Sequence, residues 1–232
     1  MIKYFVRTME GRPDILPDYF EKIIDTEHKY VKSYIDALYK ISEYDAVLVE
    51  DDIVLCNNFK EEIEKVIAQY PNEVINFFSN PERYYTTYFS ELWNYNQCTY
   101  FPKGLAKTLA DEMMKYYYPE GDPKKVKQRY GHLLGISLTN LGKRHLMYRP
   151  ALVQHIDGIS TFDGAFFQRN TIYFKDYLDR LGITMDEAYD INNRKALKKL
   201  LDADRAVWYK DIDKYNKKNW WTRFCVIGYD NS

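Results

Sequence analysis

The stretch Ala46-Val47-Leu48-Val49-Glu50-Asp51-Asp52-Ile53-Val54-Leu55 runs an apolar segment straight into three carboxylates and then turns apolar again. The apolar segment reads as a strand buried on both faces, as in the interior of a parallel sheet. Carboxylates crowded at its end repel one another unless a cation or a set of hydrogen-bond donors faces them. A divalent metal ion is the expectation this stretch raises.

The flanking sequence supplies the rest of a layered α/β pattern. Residues 2–7 alternate apolar and polar as a first strand does, and Glu10-Gly11-Arg12-Pro13-Asp14 reads as a turn. Val31, Tyr34, Ile35, Leu38 and Ile41 recur at helical spacing and lead into a strand over 45–49. Phe59, Ile63, Val66, Ile67 and Tyr70 form a second helical face, followed by a strand over 73–78. Strand, helix and strand in alternation give a mostly parallel sheet. In such sheets the ligand crevice lies beyond the carboxyl ends of the strands, where this reading puts Glu50, Asp51 and Asp52.

Further along, residues 80–101 are aromatic and irregular and read as loops over a site. Pro102 opens a helix through Leu105, Leu109 and Met113. Asp122 and Pro123, as cap and first residue, open another helix through Val126, Tyr130, Leu133 and Leu134 toward Gly142. Residues 146–155 are extended, and Asp157-Gly158-Ile159-Ser160-Thr161 turns away from them. Thr184-Met185-Asp186-Glu187 is a capping box that opens a helix, and residues 193–201 are basic on one helical face. The organisation expected is a catalytic domain over 1–165 and a helical, aromatic extension over 166–232 packed on or beside it.

Composition narrows the class. The chain has 232 residues, 46% of them apolar, enough for a sizeable core. Its net charge of -1 supplies no global positive field, so any contact with DNA must be local. No run of eighteen apolar residues occurs and the N-terminus turns polar too soon for a signal peptide, so no membrane span and a cytoplasmic location are expected. Cys56, Cys98 and Cys225 lack the spacing of zinc or disulfide sites and read as buried thiols. His28 and His145 have no partner pattern and read as surface residues. Trp208, Tyr209, Trp220 and Trp221 lie among Lys210, Lys214, Lys217 and Lys218; they either stack on bases beside phosphates or dock the extension onto the core.

Glu50 and Asp52, one residue apart at a strand end, can aim two hard oxygen ligands to one side. A nucleotide diphosphate can complete the coordination of an ion held there. The ion then stabilises charge on the departing phosphate, which is Lewis-acid catalysis of glycosyl transfer.

On these residues the segment Val47-Leu48-Val49-Glu50-Asp51-Asp52-Ile53-Val54-Leu55 resembles the DxD-type segment of metal-dependent GT-A glycosyltransferases, in particular short bacterial and phage members with "LEDD". Asn96-Gln97-Cys98-Thr99-Tyr100-Phe101-Pro102-Lys103 is similar to their acceptor-side segment. Pro150-Ala151-Leu152-Val153-Gln154-His155, followed by Ser160 and Thr161, resembles their late metal and diphosphate segment. The resemblance spans residues 2 to about 161. It implies Asp52 as direct metal ligand, Glu50 near the ribose or a metal-bound water, and His155 completing the coordination of Mn2+ or Mg2+. It further implies that Arg7, Thr8 and Asp51 lie on the nucleotide side and Ser160 and Thr161 near the diphosphate.

One position departs from the family. Where many relatives carry an acid in a "D-x-x-L-G"-like run, this chain has Tyr130-Gly131-His132-Leu133-Leu134-Gly135. His132 is therefore either the general base or a substrate-orienting group. The reading is a GT-A-like α/β domain, a mixed and mostly parallel sheet flanked by helices with a C-terminal helical extension. It transfers a sugar from a nucleotide-diphosphate donor, a UDP-sugar by preference, to a glycan or to a hydroxymethylated pyrimidine in phage DNA. The alternatives are a nucleotide-sugar-binding protein without turnover and a metal-dependent nucleotidyltransferase or hydrolase. Neither the oligomeric state nor the stereochemical outcome follows from the sequence.

Overall fold

The computed structural model describes residues 1–12, 15–26, 29–78, 87–90, 96–118, 129–156, 158–159, 166–167 and 170–216. Its centre is a seven-stranded sheet. The strands are β1 (Ile2–Met9), β2 (Phe20–Asp25), β3 (Asp45–Glu50), β5 (Val74–Asn76), β6 (Tyr88–Ser90), β7 (Cys98–Phe101) and β8 (His145–Met147), in the spatial order β2-β1-β3-β7-β5-β8-β6. β2, β1 and β3 are parallel, β7 is antiparallel to both β3 and β5, β8 is parallel to β5, and β6 is antiparallel to β8. The mixed, mostly parallel sheet expected from the sequence is the architecture found.

Alternation along the strands sends side chains into two separate cores. Tyr4, Val6, Val47, Val49, Ile75, Cys98 and Tyr100 face α2 (Phe59–Gln69), whose Phe59, Ile63, Val66 and Ile67 complete that side. Phe5, Ala46, Leu48, Val74 and Phe101 face α1 (Tyr30–Ile41), α3 (Leu105–Tyr116) and α4 (Tyr130–Asn140). Every expected apolar position of α1, from Val31 to Ile41, is fully buried. At about 25 cal/mol per Å2 of apolar surface, burial of this kind is the main force holding helices to a sheet.

The extension shares the first of these cores. α5 (Lys175–Leu181) and α6 (Ile191–Asn216) contribute Tyr177, Leu178, Leu197 and Leu201 to the cluster built around α2. The capping box forms: Thr184 Oγ1 and Glu187 Oε2 are 2.9 Å apart, and Glu187 Oε2 also accepts from Thr184 N at 2.8 Å. It opens a single 3-10 turn, Glu187–Tyr189, instead of a long helix. Asp190 then starts α6, its Oδ1 accepting from Asn192 N at 2.8 Å. The expected helix start at Asp122, together with Glu82 to Thr86 and the tryptophan pair at 220 and 221, lies outside the described residues.

Three features differ from or add to the sequence reading. β2 has no counterpart in it, because only Phe20 and Ile23 of its six residues are buried and an edge strand shows no clear alternation. β7 comes from the aromatic stretch expected to be loop, and lies antiparallel in the middle of the sheet. His145 was read as a surface residue and is fully buried on β8, its Nε2 3.0 Å from Met147 Sδ.

Burial lowers the His145 pKa from 6.5 to about 4, which makes it a pH-dependent element of stability. The folded state holds the ring neutral, while the unfolded chain takes up a proton below pH 6.5. Its contribution is complete above that pH and declines as the pH falls toward 4, by roughly 3 kcal/mol. Urea unfolding of His145→Leu at pH 7 and pH 4.5 is expected to show a smaller loss between the two than the wild type shows. Equal losses would refute the assignment.

Candidate functional site

The carboxyl ends of β1 and β3 lie side by side, because the parallel register pairs Arg7 with Glu50. Glu50 and Arg7 then point to the α1/α4 side, and Thr8 and Asp51 to the opposite side. Arg7 is 8% exposed, and its Nη2 donates to Glu50 Oε2 at 2.8 Å while Nε lies 3.3 Å and 3.2 Å from the two carboxylate oxygens. The Tyr130 hydroxyl donates to Glu50 Oε1 at 3.1 Å. The guanidinium sits among the rings of Tyr30, Tyr34 and Tyr130, with centroids at 5.7, 5.6 and 4.9 Å. A planar, delocalised cation suits both the carboxylate fork and the aromatic walls.

This arrangement redirects two expectations. The positive group facing Glu50 is Arg7, so both oxygens expected at a metal are engaged by an arginine and a tyrosine. Arg7 in turn faces inward and is committed to Glu50. Burial raises the Glu50 pKa above the ordinary carboxylate value, Arg7 opposing and Asp52 reinforcing that rise. Burial works against the Arg7 charge, yet Glu50 and Tyr130 hold its pKa well above the ordinary value.

On the other face Thr8 Oγ1 donates to Asp51 Oδ2 at 2.6 Å, and Arg12 Nη1 donates to Asp51 Oδ1. Burial raises the Asp51 pKa, against the pull of Arg12. These three line a cleft of about 140 Å3 between β1, β2 and the segment after β1, with Val6, Met9 and Ile24 among its apolar walls.

The third acid has a different partner. β4 (Ile53–Leu55) leaves the main sheet and pairs antiparallel with β9 (Val153–His155), in the register Ile53 to His155. Ile156 N donates to Asp52 O at 2.8 Å, and His155 Nε2 lies 3.3 Å from Asp52 Oδ2. The strand carrying His155 is held from behind. Asn170 Nδ2 donates to the His155 carbonyl at 2.6 Å, and the Gln154 amide exchanges hydrogen bonds of 2.7 and 2.9 Å with the Thr171 backbone. Nothing in the spacing of Gln154, Asn170 and Thr171 announces these supports, which join positions 15 and 17 residues apart in the sequence.

Of the three metal ligands expected, the structure thus brings Asp52 and His155 together and sends Glu50 elsewhere. Among the described residues no third His, Cys, Asp or Glu joins them as a metal-binding group. A carboxylate and an imidazole still fit a divalent ion whose other positions go to phosphate oxygens and water, as is usual for ions bound with nucleotides. His155 is 5% exposed and its Nδ1 has no hydrogen-bond partner among the described residues, so the ring is anchored through its neighbours and through Nε2.

His132 is exposed on α4; the residue of that helix that reaches the acidic tip is Tyr130. Ser160 and Thr161 lie outside the described residues. Cys56 and Cys98 are buried free thiols. No helix among the described residues is long and apolar enough to cross a membrane. The chain matches no protein-family model and no curated protein.

Proposed function

We propose that the protein is a metal-dependent glycosyltransferase that uses a nucleotide-diphosphate sugar, with a UDP-sugar as the preferred donor. The observation that carries this reading is the meeting of Asp52 and His155, residues far apart in sequence, at the carboxyl end of the sheet with Oδ2 and Nε2 3.3 Å apart. The resemblance of the Glu50-Asp51-Asp52 segment to the GT-A acidic motif agrees with that position.

Asp52 and His155 would hold Mn2+ or Mg2+, which when bound supplies Lewis-acid stabilisation of a departing nucleoside diphosphate. The chain's own residues do the rest. Arg7, Glu50 and Tyr130 fix the end of β3, so that Asp51 and Asp52 leave it in defined directions. The Thr8, Arg12 and Asp51 cluster presents donors and an acceptor at the rim of the neighbouring cleft, on the nucleotide side. The exposure of His132 leaves the general base unassigned to it. The acceptor is a hydroxyl group of a glycan or of a hydroxymethylated pyrimidine in DNA.

Thermal unfolding with UDP and Mn2+ tests the donor site. The midpoint is expected to rise with both together and far less with either alone, because ligand binding to the folded state adds RT ln(1 + [L]/Kd). At a hundredfold excess over Kd the gain is about 2.7 kcal/mol. No response to UDP, GDP or their sugar conjugates in manganese buffer would sink the transferase reading.

A further inference from the structure

Gln97 sits just before β7, and its carbonyl accepts from Glu50 N at 3.1 Å, which sets the two residues opposite each other one step beyond the Val49–Cys98 pair. Ala46, Leu48 and Phe101 face α1 and α4, so strand alternation brings Glu50 and Gln97 to that same face. Across the carboxyl end of the sheet the row is Arg7, Glu50, Gln97. The first two satisfy each other. Gln97 is 4% exposed and its Oε1 has no hydrogen-bond partner among the described residues. Thr99, two residues on and 1% exposed, likewise carries a hydroxyl without a partner among the described residues.

A buried amide that uses none of its acceptor capacity is a cost to the folded state, and native proteins satisfy most such groups. Glu50 cannot relieve it, since a carboxylate that accepts from Arg7 and Tyr130 offers no hydrogen to an amide oxygen. An amide offers donors and an acceptor without charge. A phosphate would call for a cation and a metal ion for carboxylates, whereas a sugar hydroxyl, itself donor and acceptor, matches an amide in both roles.

We propose that Gln97 is a sugar-binding residue whose side-chain amide pairs with a ring hydroxyl, at the end of the sheet that also bears Asp52. The inference rests on the glycosyltransferase reading and adds to it the residue that recognises the carbohydrate. Gln97→Met keeps the volume and removes the amide. In the full chain with Mn2+, calorimetry with UDP, UDP-glucose and a mixture of free hexose oligosaccharides separates the two sources of the hydroxyl.

The variant is expected to melt at or above the wild-type temperature, to bind UDP as the wild type does, and to lose about tenfold in sugar affinity. A loss with UDP-glucose assigns the hydroxyl to the donor, and a loss confined to the oligosaccharides assigns it to the acceptor. Wild-type affinity in both arms overturns the role of Gln97 alone. If the wild type itself binds no sugar nucleotide and no oligosaccharide, the transferase reading fails and the role of Gln97 falls with it.

Discussion

Asp52→Asn is expected to lower sugar transfer about a thousandfold, a loss of roughly 4 kcal/mol in transition-state stabilisation, while the protein stays folded. The Asp52 side chain is 38% exposed, so an amide in its place strands no buried charge. Its shape is kept and only the anionic oxygen facing His155 is lost. His155→Asn is expected to act on the same step. On the proposed reading the two groups serve one ion, so the double variant should be scarcely worse than either single one. Turnover and Mn2+ affinity measured across this cycle decide the matter. Additive losses would mean that Asp52 and His155 act independently, and wild-type turnover in both single variants would remove them from the site.

Arg7→Ala carries the largest expected effect on stability, about 3–5 kcal/mol, or a fall in melting temperature of roughly 10 °C. Arg7 and Glu50 are nearly enclosed, with side-chain exposures of 9% and 12%. Removing the guanidinium leaves a buried carboxylate with the Tyr130 hydroxyl as its remaining charge-stabilising contact. Arg7→Lys should recover little, since a compact ammonium matches neither the fork of the carboxylate nor the faces of Tyr30, Tyr34 and Tyr130.

The sign of the pH dependence follows from Glu50. Once Arg7 is gone, burial favours the protonated acid, so the variant's deficit is greatest well above the ordinary carboxylate pKa of 4.5 and shrinks as the pH falls toward it. Arg7→Met combined with Glu50→Leu removes both charges and should regain most of the loss. Urea midpoints for the single and double variants at pH 7 and pH 4.5 test each statement. A double variant no more stable than Arg7→Ala would mean that the aromatic contacts, not the charges, hold the pair in place.

Much of the architecture was legible because it is local. Helical periodicity in α1 and α2 and the apolar run of β3 depend on neighbours in sequence, and they located the acidic tip at a strand's carboxyl end. β2 escaped because an edge strand with only Phe20 and Ile23 buried lacks a period. β7 escaped because aromatic residues fit a strand, a loop or a core equally well, and only its partners β3 and β5 select the strand.

At the site, clustered acids call for a facing positive group, which the sequence reading takes to be a divalent metal ion. For Glu50 the cation is Arg7, forty-three residues away, brought there by parallel register. For Asp51 it is Arg12. The Asp52–His155 meeting was suggested by family resemblance; the residues alone carry no signal for it, since it depends on a three-residue ladder between distant segments. His145 was misread because a histidine between Arg144 and Leu146 looks the same in a surface turn and in a buried strand.

That ladder, β4 against β9, also fixes a time. Asp52 leaves the ribosome long before His155, and the seven-stranded sheet already needs β8 to complete its far edge. A nascent chain halted before residue 153 has its acidic triplet synthesised but no imidazole opposite Asp52. The Asp52–His155 pair therefore forms late in synthesis, when the last third of the polypeptide comes back to meet the first.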